Sequence, residues 1–324
     1  MTIRDVADRA GVSTATASRA LTGSRPMSPD LRDRVLAAAA ELGYRVNLLG
    51  RALRQQRMSV IGLVVPDLEN PFFAALAEHL SRVVEPSGYE LLVASAGGDV
   101  DAEYRGVQSF LGRQMQSLVL IPCDEEGSRA SLDAATAEVV TVQLDRRVAS
   151  SDAVYVGCDN AAGMDLIAEH VRAHVDLAVQ PVVFVGAGTR SSSARERLEG
   201  FRRHFPDAPV LLGDFDVRWG QQAADRLLDD GWTSGTLVAA ADVIALGLLS
   251  RLQSRGFRVP GDFRVIGFDG VGVTPLAHPE LTTVRQPVEA IAQAILDVVS
   301  AGTPEHSDVR PAPTLVVGPS SPAD

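Results

Sequence analysis

From residue 59 to residue 299 short apolar runs alternate with amphipathic stretches of helix length, and this alternation limits the possible fold more than any other feature. Apolar runs at 60–65, 90–94, 118–121, 139–144, 182–185, 210–212, 237–240 and 264–267, with a further one at 153–157, read as strands. Segments at 72–84, 101–111, 161–174, 194–204, 221–228, 244–253 and 288–299 read as helices. In the first of these Phe72, Leu76, Leu80 and Val84 recur every four residues, the stripe a helix needs to lie on a sheet. Such alternation argues a parallel sheet with helices on both faces. About fifteen elements are too many for one compact sheet, so two α/β lobes are expected. Ligands of open α/β sheets sit beyond the carboxyl ends of the strands, and two lobes facing each other that way enclose a cleft.

The charge is unevenly spread along the 324 residues. Net charge is −11, yet residues 1–57 carry ten arginines against five acids and are +5, while the remainder carries twenty arginines against thirty-six acids and is −16. A small basic module on a large acidic body points to a polyanion as the partner of the module alone. All 30 basic residues are arginine, which excludes a lysine Schiff base or a P-loop lysine. The only cysteines, Cys123 and Cys158, exclude a disulfide framework, and a reducing cytoplasm is the expected compartment. Nothing at the N-terminus reads as a signal peptide, and no apolar run approaches the roughly 18–20 residues of a membrane span.

The basic module is patterned to fold. Thr2 and Asp5 have the spacing of a capping box, Gly11 supplies a turn, and Ser13 caps a second helix reaching about Thr22. Val6, Ala7, Ala10, Val12, Ala17 and Ala20 are apolar around that turn, and Ala7 is small where two helices must cross. Ser28-Pro29 opens a third helix carrying Leu31, Val35, Leu36 and Leu42, ended by Gly43. This is helix-turn-helix spacing. Its second helix would present Thr14, Ala15 and Arg19 to base edges, Arg19 suiting guanine, while Thr16 and Ser18 suit phosphates. Residues 44–57 are too polar for a core helix, and Gly50 makes so short a helix marginal alone, so its order is expected to be coupled to DNA. Leu53 can wedge into a minor-groove step.

The runs Thr2-Ile3-Arg4-Asp5-Val6-Ala7, Ala10-Gly11-Val12-Ser13 and Ser18-Arg19-Ala20-Leu21, with Leu42-Gly43-Tyr44 and Asn47, resemble the headpiece of the lactose/galactose repressor family (LacI/GalR). The resemblance extends over nearly the whole chain. It implies an α-helical helix-turn-helix headpiece (residues 1–46), a hinge helix and linker (47–58), and an α/β two-lobed periplasmic-binding-protein-like effector domain (59–324). The lobes are expected at about 59–158 and 161–285, with the chain crossing back near 286–324. It also implies a hinge helix over 47–54, DNA contacts from Asn47 and Arg51, and intercalation of Leu53 at the operator centre. Val46 stands where the family usually has proline, Gly50 where it has alanine, and Ala17 where it has valine.

The loops after the strands supply the cleft. In Pro66-Asp67-Leu68-Glu69-Asn70-Pro71-Phe72-Phe73, Asn70 can donate and accept, and Phe72 and Phe73 offer flat walls, although strand-to-helix packing is the competing role for either ring. The resemblance implies that Asp145, Arg197, Phe215, Asp269 and Gln286 complete the effector site. Trp219 has no role beyond packing, and Asp159 suits a helix cap as well as a ligand. Ala241 replaces a family amide and removes a hydrogen-bonding group, which bears on ligand choice. Aspartates and an arginine around aromatic walls suit a sugar or sugar derivative, with a purine as the competing ligand.

Other motifs lead nowhere. The run from Val182 to Ser191 begins like a dinucleotide fingerprint but has Ser191 in place of the third glycine. His170 and His174 share a helix face without a third metal ligand and read as a solvated face. No nucleophile with a base stands out, so no enzyme, cofactor or metal site is expected. The reading is a ligand-controlled repressor that binds a near-palindromic double-stranded operator as a homodimer, away from membranes, in the nucleoid; the competing reading is a solute-binding or sugar-processing protein. The proline-rich tail after Gly302 has no leucine heptad, which favours a dimer over a tetramer.

Overall fold

The computed structural model of the protein describes residues 1–22, 27–44, 59–149, 151–188, 190–302 and 308–323. The chain divides into two compact units, Met1–Met58 and Ser59–Asp324.

The first unit is a three-helix bundle of α1 (Ile3–Ala10), α2 (Thr14–Thr22) and α3 (Pro29–Glu41). Both halves of the Thr2/Asp5 capping box form, with the Asp5 amide donating to Thr2 Oγ1 and the Thr2 amide to Asp5 Oδ2. Gly11 takes the left-handed conformation (φ 65°) that ends α1. The Thr16 amide donates to Ser13 Oγ at 3.1 Å, so Ser13 caps α2. Ser28 stands at the cap position of α3, but its hydroxyl makes no capping bond, and Pro29 starts the helix instead. Val6, Ala7, Ala10, Ala17, Ala20, Val35, Ala38 and Ala39 form the core. Six of these eight are alanines, so the helices approach closely and each methyl group counts. Leu36 stays outside this core, 42 % exposed.

The second unit contains two sheets. The first, in order β2-β1-β3-β4-β5, comprises β1 (Val60–Val65), β2 (Glu90–Ser95), β3 (Ser117–Leu120), β4 (Val140–Leu144) and β5 (Val154–Val156), all parallel. Around it pack α4 (Pro71–Val84), α5 (Val100–Leu111) and α6 (Arg129–Thr136). Next come α7 (Asn160–His174), β6 (Val182–Ala187), α8 (Ser192–His204), β7 (Val210–Gly213), α9 (Val217–Asp229), β8 (Gly235–Ala239), α10 (Asp242–Ser254) and β9 (Phe263–Asp269). With β10 (Thr282–Arg285) and β11 (Thr314–Val316), these strands make the second sheet, in order β11-β10-β9-β8-β6-β7. It is parallel except for β11, which pairs antiparallel with β10.

Each sheet has its own core. Every residue of β1 is buried, as a central parallel strand covered on both faces requires. The α4 stripe lies against it, and Leu76 and Leu80, both buried, each contribute about 1.5–3 kcal/mol. The last helix, α11 (Val288–Ala301), adds Ile291, Ala292, Ile295, Leu296 and Val299 to this first core. The chain therefore crosses between lobes at 157–159, again at 286–287, and a third time near 308–313 to lay down β11. In the second lobe α9 and α10 meet at Gly220 and Gly247, where a Cβ on either would collide with backbone of the other helix.

Three elements fall outside the expected pattern. β10 is rich in threonine, and Thr282 and Thr283 are buried because Gly318 O and Asp242 Oδ1 accept their hydroxyl protons at 2.7 and 2.6 Å. β11 follows Pro311 and Pro313, which an edge strand tolerates. α6 is short and weakly apolar.

Candidate functional site

In the bundle, α2 buries Ala17 and Ala20 and leaves Thr14, Ala15 and Arg19 exposed, with Thr16 and Ser18 half-buried. Thr16 Oγ1 lies 2.9 Å from the Ser13 hydroxyl, and Arg19 Nε donates to the Ala15 carbonyl at 3.2 Å. With about 3.6 residues per turn, Thr14, Ser18, Ala15 and Arg19 fall on one side of α2, and Thr16 lies beyond Arg19 toward the buried Ala20. Asn47, Arg51 and Leu53 lie outside the described residues.

In the second unit, strand ends from both lobes converge. Asn70, Phe72, Phe73, Asp145, Arg146, Ser193, Arg197, Phe215 and Asp269 line a small inner cavity of about 10 Å³. A larger cleft of about 640 Å³ shares Asn70, Arg146 and Phe215 with it and is lined further by Asp67, Glu69, Cys123, Asp214, Asp216 and Arg218. The rim is tied across the lobes: Arg195 pairs with Glu125 at 2.7 Å, Arg190 with Asp124 at 2.8 Å, and the Arg147 amide donates to Ser192 Oγ at 2.8 Å.

Position follows from local structure. Asn70 caps α4, accepting from the Phe72 amide at 3.0 Å. Phe72 and Phe73 are both buried in the first core as well as on the cavity wall, so packing and lining coincide in the same rings. Asp145 ends β4 with φ 59°, where the chain turns; its carbonyl accepts from Tyr155 Oη at 3.1 Å. Burial pushes its carboxyl above the usual range, against the pull of Arg197 and Arg146, and its Oδ1 has no hydrogen-bond partner among the described residues.

Arg197, on α8, is 2 % exposed and is held by partners of its own lobe. It donates to Asn160 Oδ1 at 2.8 Å, to Ala240 O at 2.7 Å and to Asp269 Oδ1 at 3.1 Å, and it stacks on Phe268 at 3.9 Å. Asp269 also accepts from Gln286 Nε2 at 2.8 Å. Gln286 thus bonds Asp269, which reaches the cavity wall, and its side chain also favours the charged form of Asp145. Burial raises both Asp269 and its neighbour Asp242; Asp242 accepts from Thr283 Oγ1 and, at 2.9 Å, from the Val271 amide. Ala241 is buried and gives α10 no side-chain cap. Asp159 caps α7 at 2.9 Å, and Trp219 donates from Nε1 to Gly186 O at 2.9 Å.

One expectation is overturned. His170 does not belong to a solvated face: it is 5 % exposed, its Nε2 3.0 Å from Ser321 O, because the C-terminal segment folds over α7. Among the described residues no cluster of metal-ligating side chains occurs, and no helix is long and apolar enough to cross a membrane.

Arg146 lines both cavities, although no sequence pattern singles it out. It follows Asp145 directly, and its guanidinium carbon lies 5.4 Å from the ring centres of both Phe73 and Phe215, one from each lobe. The visible signal was only its place at the end of β4.

Comparison with known proteins agrees with this architecture. Residues 2–47 match the model for bacterial regulatory proteins of the lacI family, and residues 171–321 the model for the periplasmic binding protein-like domain. The chain is 31 % identical to the HTH-type transcriptional regulator AscG of Escherichia coli over 309 residues, 91 % of this chain and 90 % of that one. The chain belongs to the LacI family. It is also 30 % identical to the ribose operon repressor of Halalkalibacterium halodurans over 295 residues, covering 89 % of this chain and 86 % of that relative. The lac repressor dimer bound to operator and the anti-inducer ONPF superposes with a TM-score of 0.84 at 25 % identity, covering 99 % of each chain. A CelR–cellobiose complex superposes at 0.71 with 26 % identity, again over 99 % of each. The relatives of this LacI-family chain include a ribose operon repressor and a transcriptional regulator, and it is a DNA-binding regulator, not an enzyme.

Proposed function

We propose that the protein is a ligand-controlled repressor that binds a near-palindromic operator as a homodimer and senses a sugar or sugar derivative between its two lobes. In this reading 1–46 form the headpiece, 47–58 the hinge and 59–324 the sensor, with Thr14, Ala15 and Arg19 reading bases, Thr16 and Ser18 meeting phosphates, and Asn47, Arg51 and Leu53 acting at the operator centre. A symmetric dimer matches two half-sites. The ligand acts by binding one arrangement of the lobes better than the other, which biases the DNA-competent state.

The observation that carries the sugar reading is a buried acceptor beside a buried donor. Asp145 Oδ1 and Arg146 Nε lack partners among the described residues, on a cavity walled by Phe72, Phe73 and Phe215. A sugar hydroxyl donates to one and accepts from the other while the ring face lies on an aromatic wall. Asn70, Arg197, Asp269 and Gln286 complete and brace this site.

The deciding experiment is a footprint on an inverted-repeat site in the DNA flanking its own coding sequence, with and without residues 1–57. Full-length protein protects two half-sites in a salt-dependent way, and the truncated chain protects nothing while its melting point still rises with sugar. Duplex binding that survives the truncation overturns the repressor reading and leaves a solute-binding protein. A purine that stabilises the chain where sugars fail overturns the choice of ligand.

A further inference from the structure

Two of the three crossings between the lobes lie side by side. Val156 and Val309 form a parallel bridge, with the Gly157 amide donating to Val309 O at 3.0 Å and the Val309 amide to Tyr155 O at 2.9 Å. The Asp159 amide donates to Pro311 O at 3.2 Å, so the first and third crossings form one hydrogen-bonded ribbon. Glu196, on α8 of the second lobe, is joined to both. Its Oε2 accepts from Asn160 Nδ2 at 2.8 Å, just past the first crossing, and its Oε1 from Arg310 Nη1 at 3.2 Å, on the third. Successive helix residues point about 100° apart, so Glu196 faces the ribbon while Arg197 faces the cleft. Asn160 links the two: 1 % exposed, it accepts from Arg197 Nε at 2.8 Å through Oδ1 while its Nδ2 serves Glu196. Turning that amide over would set donor against donor and acceptor against acceptor, so its two partners fix one orientation. On the other side Arg310 donates to Asp308 Oδ2 at 3.4 Å, and the same oxygen accepts from Arg147 Nη1 of the first lobe at 2.8 Å. The guanidinium carbons of Arg310 and Arg147 lie 4.7 and 5.6 Å from the ring centre of Tyr155.

We infer that Glu196 is a positioning residue: through Asn160 it sets the guanidinium of Arg197 on the cleft wall, and through Arg310 it fastens that setting to the crossings between the lobes. This rests on the reading of a ligand-binding interlobe cleft and adds the route that ties the cleft to the hinge. Each arm has its own physical ground. Arg197 is a planar fork, and Asn160, Ala240 O and Asp269 together hold its plane against Phe268. An Asn160 amide released by Glu196 no longer holds the Nε corner of that fork. The Glu196 and Arg310 side chains are 18 % and 29 % exposed, so solvent screens their attraction less than that of the outer α8 pair Arg203–Asp165, exposed to 54 % and 48 %. A change of lobe angle moves the third crossing against α8 and stretches the Glu196–Arg310 pair. A ligand that shifts Arg197 reaches the same pair from the cleft side, so both ends bias one element, as coupling requires.

The test uses the full-length chain, first with no small molecule added. Nitrogen-15 spectra read the Arg197 Nε–H, which the Phe268 ring, 3.9 Å from the guanidinium carbon, sets apart from other arginines. Hydrogen exchange reads the Gly157, Asp159 and Val309 amides of the ribbon. Glu196→Ala moves the Arg197 signal and speeds ribbon exchange at least about tenfold. Glu196→Gln keeps an acceptor for Asn160 but turns a donor toward Arg310, so it speeds ribbon exchange and leaves the Arg197 signal in place; Arg310→Met does the same. Arg203→Gln, which breaks the outer pair on the same helix, changes neither. Circular dichroism melts establish that each variant is folded. Thermal shifts and titrations with D-ribose, D-galactose and cellobiose follow. A sugar that stabilises the parent chain binds Glu196→Ala at least about tenfold more weakly and Arg310→Met within about threefold of the parent. An Arg197 signal unmoved in folded E196A, ribbon exchange unchanged in E196Q and R310M, changes of equal size in R203Q, or a sugar held equally well by E196A each overturn the role of Glu196 and leave the saccharide reading standing. If none of the sugars binds while the Arg197 and ribbon responses appear, the saccharide reading falls and the positioning by Glu196 stands.

Discussion

The candidate reading face of the headpiece is assembled from consecutive turns of one helix, Thr14 to Arg19, capped by Ser13 immediately before it. The candidate ligand site of the sensor takes Asn70, Asp145, Arg197, Phe215 and Asp269 from separate elements of two lobes. The difference has physical consequences. A local face depends on one cap and a small alanine core, and each of its exposed contact residues can be altered separately. A non-local site depends on charges that hold one another, so removing one member disturbs all. The headpiece spends its charge on the outside, and the sensor keeps part of its charge within.

Arg197→Ala should break this contrast most sharply. Asp269 and Asn160 lose their shared partner in a buried setting, which costs the sensor about 3–5 kcal/mol. A denaturant melt of the full chain should show the sensor transition move while helical signal from the headpiece stays. A loss within the noise of a surface substitution would mean that the network is not holding the lobe.

The sensor should also respond to pH in a way the headpiece does not. Asp242 and Asp269 are raised above the usual 3.8 by burial and, for Asp242, by repulsion from Asp269. A buried acid with a raised folded value keeps a proton that the unfolded chain has released. Its contribution is therefore greatest at acid pH and is lost as pH climbs from the ordinary carboxylate range toward the raised value. Thermal melts between about pH 5 and pH 8 should show sensor stability falling for this reason. Asp242→Asn is less stable throughout but loses Asp242's part of the slope; an unchanged slope places the titration elsewhere.

A smaller and more selective effect is expected in the headpiece. Arg19→Ala should cost about 1–3 kcal/mol at one position of each half-site and relax base preference there. Binding competitions against operators varied one base at a time read this directly. Uniform weakening across all sequences would assign Arg19 to phosphate instead.

The same contrast governs how legible each region is in the amino-acid sequence. The Thr2/Asp5 box, the Gly11 turn and the Ser13 cap are patterns within a few residues, and each forms as its spacing dictates. Most strands and helices of the sensor are equally legible, because burial against a sheet imposes its period on the chain. β10 is not: its buried threonines are satisfied by Gly318 and Asp242, partners no local pattern discloses. His170 escapes for the same reason, since the C-terminal segment that covers it is 151 residues away in sequence. The grouping of site residues came from family resemblance, whereas the unequal partnering of Arg146 and Arg197 emerges only when both lobes are placed.

The smallest effect sharpens the comparison furthest. Ser13→Ala removes the acceptor for the Thr16 amide and the neighbour of the Thr16 hydroxyl, a loss of about 1 kcal/mol. In the sensor the equivalent loss, Asp159→Ala at the start of α7, is spread over a core of dozens of apolar side chains and should barely shift ligand binding. In the headpiece a core of small residues has little to spare, and α2 carries both the cap and the candidate reading face. Hydrogen exchange of the α2 amides should therefore speed up, and affinity for every duplex should fall together, since a frayed helix misplaces Thr14, Ala15 and Arg19 alike. Ser13→Asp, which restores an acceptor for the amide, should recover exchange protection. Were Ser13→Ala to leave α2 protection unchanged, the stability of that face would have to come from its packing on α1 and α3 rather than from its cap.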